Sequence, residues 1–272
     1  MDHRVEIKHL DIPRLLHSQD KSTMDYLKRI PGFKNVVDKT VGDVMERYAA
    51  IEYSAEGVDV TQKSMPVIYK QVNDVCRILG MKDIPRCSID WLYNISSFSV
   101  GEKNRRIVLQ SGSVDLLTTE ELNFLIGHEI GHMLCGHKTY HMLMEAIYRP
   151  AVSHDLKVWM SLIKLPLLKW YRISDFSADR VGLLCCQDIN VALSAMIKMA
   201  GLPKKYYNRV HLPSFIQQAK KFSEDYSGIM DSVIRYMSIN AGYKPWLVSR
   251  ASELIKWCDS NEYNRILESN NN

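Results

Sequence analysis

His128 and His132 stand four apart in a stretch of helical pattern, so both imidazoles project from one face and can share one small cation. Glu129 lies roughly 100 degrees round from His128, at the edge of that face. There its carboxylate reaches a water on the cation without ligating the cation itself. Neutral imidazoles suit zinc, and a zinc-polarised water must lose a proton to a nearby base before it attacks an amide carbonyl. This HExxH arrangement points to zinc-dependent hydrolysis of peptide bonds. Catalytic zinc sites take three protein ligands and leave a fourth position open, so one more ligand is required. Metzincin spacing would need Gly at 135 and His at 138; Cys135 and Lys138 exclude that class.

The best source of the third ligand is SDFSADRVGLL, where Asp175 and Asp179 share one helical face beside the small residues Ala178 and Gly182. Small neighbours let this helix lie close against the HExxH helix. One carboxylate then reaches the metal while the other holds a ligating histidine. An exposed acid pair at this spacing would repel itself. Glu145 is the next acid in order. Cys135 reads as a small buried thiol, and His137 as a residue that packs at the helix end. His3, His9, His17, His141, His154 and His211 have no ligand spacing and read as ordinary.

The elements that must position these residues are also legible. Thr118 and Glu121 have capping-box spacing at the start of the HExxH helix, and Gly127, Gly131 and Gly136 within it imply close approach of other elements. Upstream, between 86 and 110, RCSIDWLY, SSFSVG and RRIVLQ are short β-type runs separated by turn formers, which predicts a small sheet. Helical periodicity covers 40–53 and 64–79, the second closing at Gly80. It returns over 139–152, 155–171, 174–188, 190–200, 213–223, 225–241 and 246–267. The predicted class is α+β, mostly α, with a small sheet on the HExxH helix. Nothing marks a boundary, so 1–272 is read as one domain: an N-terminal helical layer (1–80), the sheet and metal-site helices (81–189), and C-terminal helices (190–272).

A chain of 272 residues with 46% hydrophobic content can bury a full core. Its 35 basic and 31 acidic residues are interspersed, which argues against nucleic acid as a partner. The start, MDHRVEIKHLDIPRLLH, carries charges where a secretory leader needs an apolar run, so the expected address is cytoplasmic. Six cysteines without CxxC spacing read as free thiols. The most membrane-like window, 158–170, is broken by Lys164 and Pro166 and is too short to span. It reads as an amphipathic core helix, with a peripheral membrane contact as the alternative.

The motifs together resemble the HtpX-like zinc metallopeptidases, specifically members without membrane helices. The resemblance runs through LKRIPGF (27–33), RIVLQSGSVDLLTTEELNFLIGHEIGHMLCGH (106–137), SADRVGLL (177–184) and KPWLVSRASEL (244–254). It implies a zincin fold of the gluzincin type, one Zn2+ per chain, and a peptide substrate lying along an antiparallel edge strand above the HExxH helix. The family's third ligand, the Glu of ExxADR, falls on Asp175, one methylene shorter. Its edge-strand Asn-Ala-Tyr falls on Ser96-Ser97-Phe98, and its His-Pro loop on Lys244-Pro245. Arg180 and Arg250 match the pattern and belong beside the acidic helix; Arg250, Lys244 and Tyr243 are also candidates for stabilising the oxyanion. The resulting expectation is a zinc metalloendopeptidase: His128, His132 and Asp175 as ligands, Glu129 as base, and Asp179 orienting a ligand. The alternative is a catalytically weak zincin-fold protein that holds a peptide or partner.

Overall fold

The structure, a computed structural model, describes residues 4–41, 43–148, 154–225 and 246–270. The β-type runs form the sheet: β1 (Val58–Asp59), β2 (Arg86–Asp90), β3 (Ser97–Val100) and β4 (Arg106–Gln110), in spatial order β1-β2-β4-β3. Both edge strands pair antiparallel, β1 with β2 and β3 with β4, while the central β2–β4 pair is parallel. β4 is buried along its length, as its near-continuous apolar run IVL requires.

Helices make up most of the rest. Before the sheet come α1 (Ile12–Leu15), α2 (Ser18–Arg29), α3 (Phe33–Val41), α4 (Asp43–Ala55) and α5 (Pro66–Ile78). After it come α6 (Ser111–Leu116), α7 (Thr119–Leu134), α8 (Lys138–Tyr148), α9 (His154–Cys186), α10 (Ile189–Met199) and α11 (Leu212–Asp225), then α12 (Leu247–Asp259) and α13 (Glu262–Asn270). The class is α+β and mostly α, with the small sheet against α7.

Two apolar clusters divide the core. One joins the sheet, α5, α7, the second half of α9, α10 and α12, with Leu109, Phe124, Ile126 and Leu184 at its centre. The other joins α2, α3, α8 and the first half of α9 around Trp170, Phe33 and Leu143. α9 is thus a spine common to both, and Asp175 and Asp179 lie where the clusters meet.

Some readings needed correction. Residues 155–171 and 174–188 are not separate helices: nothing at Tyr171, Arg172 or Ile173 breaks a helix, and α9 runs through them. The stretch 246–267 is two helices, because Asn261 takes a left-handed φ of 63° between α12 and α13. Periodicity gives no warning of α2, whose buried residues are Met24, Leu27 and the acid Asp20. The predicted helix at 225–241 lies outside the described residues except for Asp225, which ends α11. No helix among the described residues is long and apolar enough to cross a membrane. In 163–170, Ile163, Leu167, Leu168 and Trp170 face the core, while Leu165 is 37% exposed.

Candidate metal centre

α7 begins with a capping box: the Thr118 hydroxyl accepts from the Glu121 N–H and the Glu121 carboxylate accepts from the Thr118 N–H. Glu121 also pairs with Lys198 and Ser194 on α10, so this end of the helix is pinned. From there α7 runs buried to Met133, and its most extensive helix contact among the described residues is with α9. That contact is made possible by glycine. A methyl at Gly131 would come 2.9 Å from both Cα and the carbonyl oxygen of Ala178, and one at Gly182 would come 2.7 Å from the Phe124 carbonyl oxygen. Backbone therefore meets backbone, and the short Asp175 side chain reaches α7.

His128, His132 and Asp175 offer ligand atoms within 4.8 Å of one another, and all three residues are buried. His128 Nε2 is 3.1 Å from His132 Nε2, and Asp175 Oδ1 is 3.3 Å from His132 Nε2. Zinc bonds of about 2.0–2.2 Å in a tetrahedron put neighbouring ligand atoms roughly 3.3–3.6 Å apart, so the spacings fit. The donor chemistry agrees. His128 Nδ1 lies 2.8 Å from Asp179 Oδ1, and a proton there leaves Nε2 as a bare lone pair. A cation held between these facing lone pairs would turn repulsion into coordination.

Arg250 of α12 forks onto Asp179, with Nη2 2.6 Å from Oδ1 and Nε 2.8 Å from Oδ2, while Nη1 is 3.4 Å from Asp175 Oδ2. Burial alone would raise the pKa of Asp179, but Arg250 and His128 outweigh it and hold the carboxyl below its usual value. Burial wins at Asp175, whose pKa is raised despite Arg250. His132 is held well below the usual imidazole value, first by burial and then by Lys138 and the other histidines, which favours the neutral form that ligates metal.

Glu129 faces the edge strand. Ser97 Oγ donates to its Oε1 at 2.7 Å and Ser99 Oγ to its Oε2 at 2.6 Å, and Lys138 Nζ stands 3.8 Å from Oε2. Residues 97 and 99 share a strand face, which explains the paired hydroxyls. Gln110 N donates to Ser96 O, so with Phe98 opposite Val108 in register the backbone groups of Ser97 and Ser99 point to the edge of β3 that pairs with no strand among the described residues. There Lys138 Nζ donates to Ser99 O at 3.2 Å. His128, His132, Asp175, Glu129, β3, Lys138, Tyr171 and Leu247 line one cleft of about 190 Å³.

The other sequence candidates fall as follows. Ser96 lines the cleft, but its N–H and C=O are bound by the Ser113 hydroxyl. Phe98 lines it too and packs against Tyr53 at 5.0 Å between ring centroids. Arg250 reaches the cleft with its guanidinium bound to the two aspartates. Arg180 donates to Leu15 O and lies over Trp257. Lys244 and Tyr243 lie outside the described residues, as does the side chain of Glu145.

Five buried residues around the site were given no part in it by the sequence reading. Ser99 was readable as the strand-face partner of Ser97. Lys138, 4% exposed, and His141, beside His132 at 4.7 Å between centroids, sit at the start of α8. His137 does not merely close the helix: its Nδ1 is 2.9 Å from His132 Nδ1 and its Nε2 3.0 Å from Asp20 Oδ2. Asp20 was unreadable, since 117 residues separate it from His137.

Residues 69–257 match Peptidase family M48. The chain is 26% identical over 268 residues to the Plastoglobule-localized metallopeptidase 48, chloroplastic, of Arabidopsis thaliana, covering 96% of this chain and 77% of that protein. It is 26% identical over 130 residues to a Protease HtpX homolog of Saccharolobus islandicus, covering 47% of this chain and 38% of that protein. No solved structure matches it. With more than half of its length matched, and the HExxH helix and acidic helix inside the matched span, the chain belongs to Peptidase family M48.

Proposed function

We propose that the chain is a zinc-dependent endopeptidase in which His128, His132 and Asp175 hold one Zn2+ and Glu129 is the general base. The observation that carries this reading is the convergence of two imidazole Nε2 atoms and a carboxylate oxygen beside an intact Glu129, in a cleft bounded by β3, an edge strand among the described residues. Zinc, when bound, supplies a Lewis acid that makes a water acidic and polarises the scissile carbonyl.

The chain's own groups do the rest. An extended peptide pairs with the outward N–H and C=O of Ser97 on β3, which brings its backbone over α7. Glu129 takes the proton of the attacking water as the new C–O bond forms. It then gives that proton to the departing amide nitrogen as the C–N bond breaks. Ser97 and Ser99 aim both carboxylate oxygens through this transfer. Asp179, steadied by Arg250, keeps His128 in the tautomer that presents Nε2. Nothing favours the binding-only alternative, because a protein that merely holds peptides has no use for Glu129 beside the ligands.

The test is zinc content by elemental analysis together with cleavage of an unstructured protein, its fragments read by mass spectrometry. About one zinc per chain and internal cleavage that chelator abolishes and zinc restores are expected. A folded protein that takes up no zinc on titration would overturn the reading.

A further inference from the structure

The two ligand histidines are held differently. His128 meets a carboxylate directly, whereas His132 meets another imidazole, His137, and the carboxylate lies one residue further back at Asp20. For neutral imidazoles, the direction of every proton in this chain follows from its far end. Asp20 Oδ1 accepts from Trp170 Nε1 at 2.8 Å, a group that only donates. Asp20 Oδ2 accepts from the Ser177 hydroxyl at 2.5 Å, which itself accepts the His17 N–H at 2.9 Å. The carboxylate is therefore surrounded by donors, and His137 Nε2, 3.0 Å away, is the third. A neutral His137 with its proton on Nε2 has a lone pair on Nδ1. That lone pair faces His132 Nδ1 at 2.9 Å, which must be the donor. His132 Nε2 is then left without a proton, aimed at His128 Nε2 and Asp175.

The backbone builds this contact deliberately. α7 ends in a Schellman turn: His137 N donates to His132 O at 2.9 Å, Gly136 N donates to Met133 O at 3.3 Å, and Gly136 takes a φ of 71°. The turn folds the residue after the glycine back beneath His132.

We propose that Asp20 and His137 are positioning residues that fix the tautomer and ring orientation of His132, so that an element of the N-terminal region, α2, sets the metal affinity of a site on α7 and α9. The proposal rests on His132 being a metal ligand. Asp20→Asn replaces an acceptor with an NH2 group that must face either Trp170 or the His137–Ser177 pair. Relieving the clash on His137 reverses its tautomer, and with it that of His132.

The variants are compared by zinc affinity in competition with a chromophoric chelator, and by the d–d absorption of the Co2+ form, which reads the ligand geometry without any activity. Asp20→Asn and His137→Ala should each weaken zinc about 10-fold to 100-fold, the range for groups behind a ligand. The double variant should bind no more weakly than the worse single one, since Asp20 acts through His137. His137→Asn puts an amide oxygen where Nδ1 stands, so it should bind zinc within a few-fold of the parent and resist a further Asp20→Asn. Wild-type zinc affinity in folded Asp20→Asn, multiplicative losses in the double variant, or His137→Asn as weak as His137→Ala would each overturn the relay. If Asp20→Asn does not fold, the two His137 variants decide. Failure of the underlying reading looks different: the parent protein would take up no zinc, or His132→Ala would bind it as well as the parent.

Discussion

Gly131→Ala isolates the contact on which the proposed ligand role of Asp175 depends. The new methyl would stand 2.9 Å from the Ala178 Cα and carbonyl oxygen and 3.0 Å from Val181 Cβ, where ordinary contacts are 3.4–4 Å. The obstructing atoms at Ala178 are backbone, so α7 and α9 must separate by roughly 0.5–1 Å rather than a side chain turning away. Overpacking costs about 1–3 kcal/mol, and replacing a mid-helix glycine by alanine returns about 0.8–1.0 kcal/mol. The net loss of up to about 2 kcal/mol lowers Tm by a few degrees and leaves the protein folded. Zinc bonds tolerate deviations of only about 0.2 Å, so the same movement takes Asp175 out of range and zinc affinity falls at least about tenfold.

Gly201→Ala is the control. Its φ of 103° makes alanine strained, but nothing lies within 4 Å of the added methyl, so stability drops while zinc affinity stays. Asp175→Glu in the Gly131→Ala background adds one carbon–carbon bond of about 1.5 Å to the reach and should recover zinc affinity. Differential scanning calorimetry gives the stability arm and chelator competition the zinc arm. Folded Gly131→Ala with zinc affinity within twofold of the parent would refute the claim that this backbone contact sets the ligand distance.

Four further outcomes are expected. Glu129→Gln should keep zinc while hydrolysis of an unstructured protein falls by about 100-fold to 10,000-fold, and a loss below tenfold would remove Glu129 as the base. Asp175→Ala should lose zinc affinity and activity together with partial recovery at high zinc; full occupancy in chelator competition would transfer the ligand role elsewhere. Burial pushes the thiols of Cys76, Cys87, Cys135 and Cys186 up to about 12, so iodoacetamide at pH 8 should leave them intact until denaturant is added, as intact-mass measurement would reveal. Glu253, 26% exposed, is held down to about 2 from 4.5, first by its hydrogen bond to His17 and then by Lys256. A lowered folded value means stability that is complete above about 4.5 and lost as pH falls towards 2, and Glu253→Gln should flatten the acid side of a Tm–pH curve.

What the sequence revealed and what it hid divide by distance along the chain. The capping box, the runs of β2, β3 and β4, and the glycines of α7 are local signals, and each carries its own physical reason. Asp175 and Asp179 were legible because their helix also advertises the small residues that allow close approach. The parallel pairing of β2 with β4 was not, since nothing in either strand specifies its partner's direction. Asp20 was hidden for the same reason: an acid in a polar helix reads as solvated until the fold places Trp170, Ser177 and His137 around it. His137 misled because a residue after a helix-ending glycine reads as a cap, and the Schellman turn that makes it a cap also tucks it under His132.

The departures from the resembled family bear on whether the site works. An acid shortened by one methylene stands one turn from Ala178, where Gly131 lets the two helix backbones meet, and its Oδ1 lies 3.3 Å from His132 Nε2. Where the family has Asn-Ala-Tyr, the serine that replaces alanine, with Ser99 two residues on, places hydroxyls on both oxygens of Glu129. A site drifting towards mere binding would lose such couplings first, because nothing would maintain the aim of a base that no longer takes protons. Asp179 would likewise be left buried against Arg250 with no ligand to orient, at a desolvation cost of several kcal/mol per ion. Here Asp179 keeps its 2.8 Å contact with His128 Nδ1. These couplings, one of them made by the changed residue Ser97, favour catalysis over passive binding.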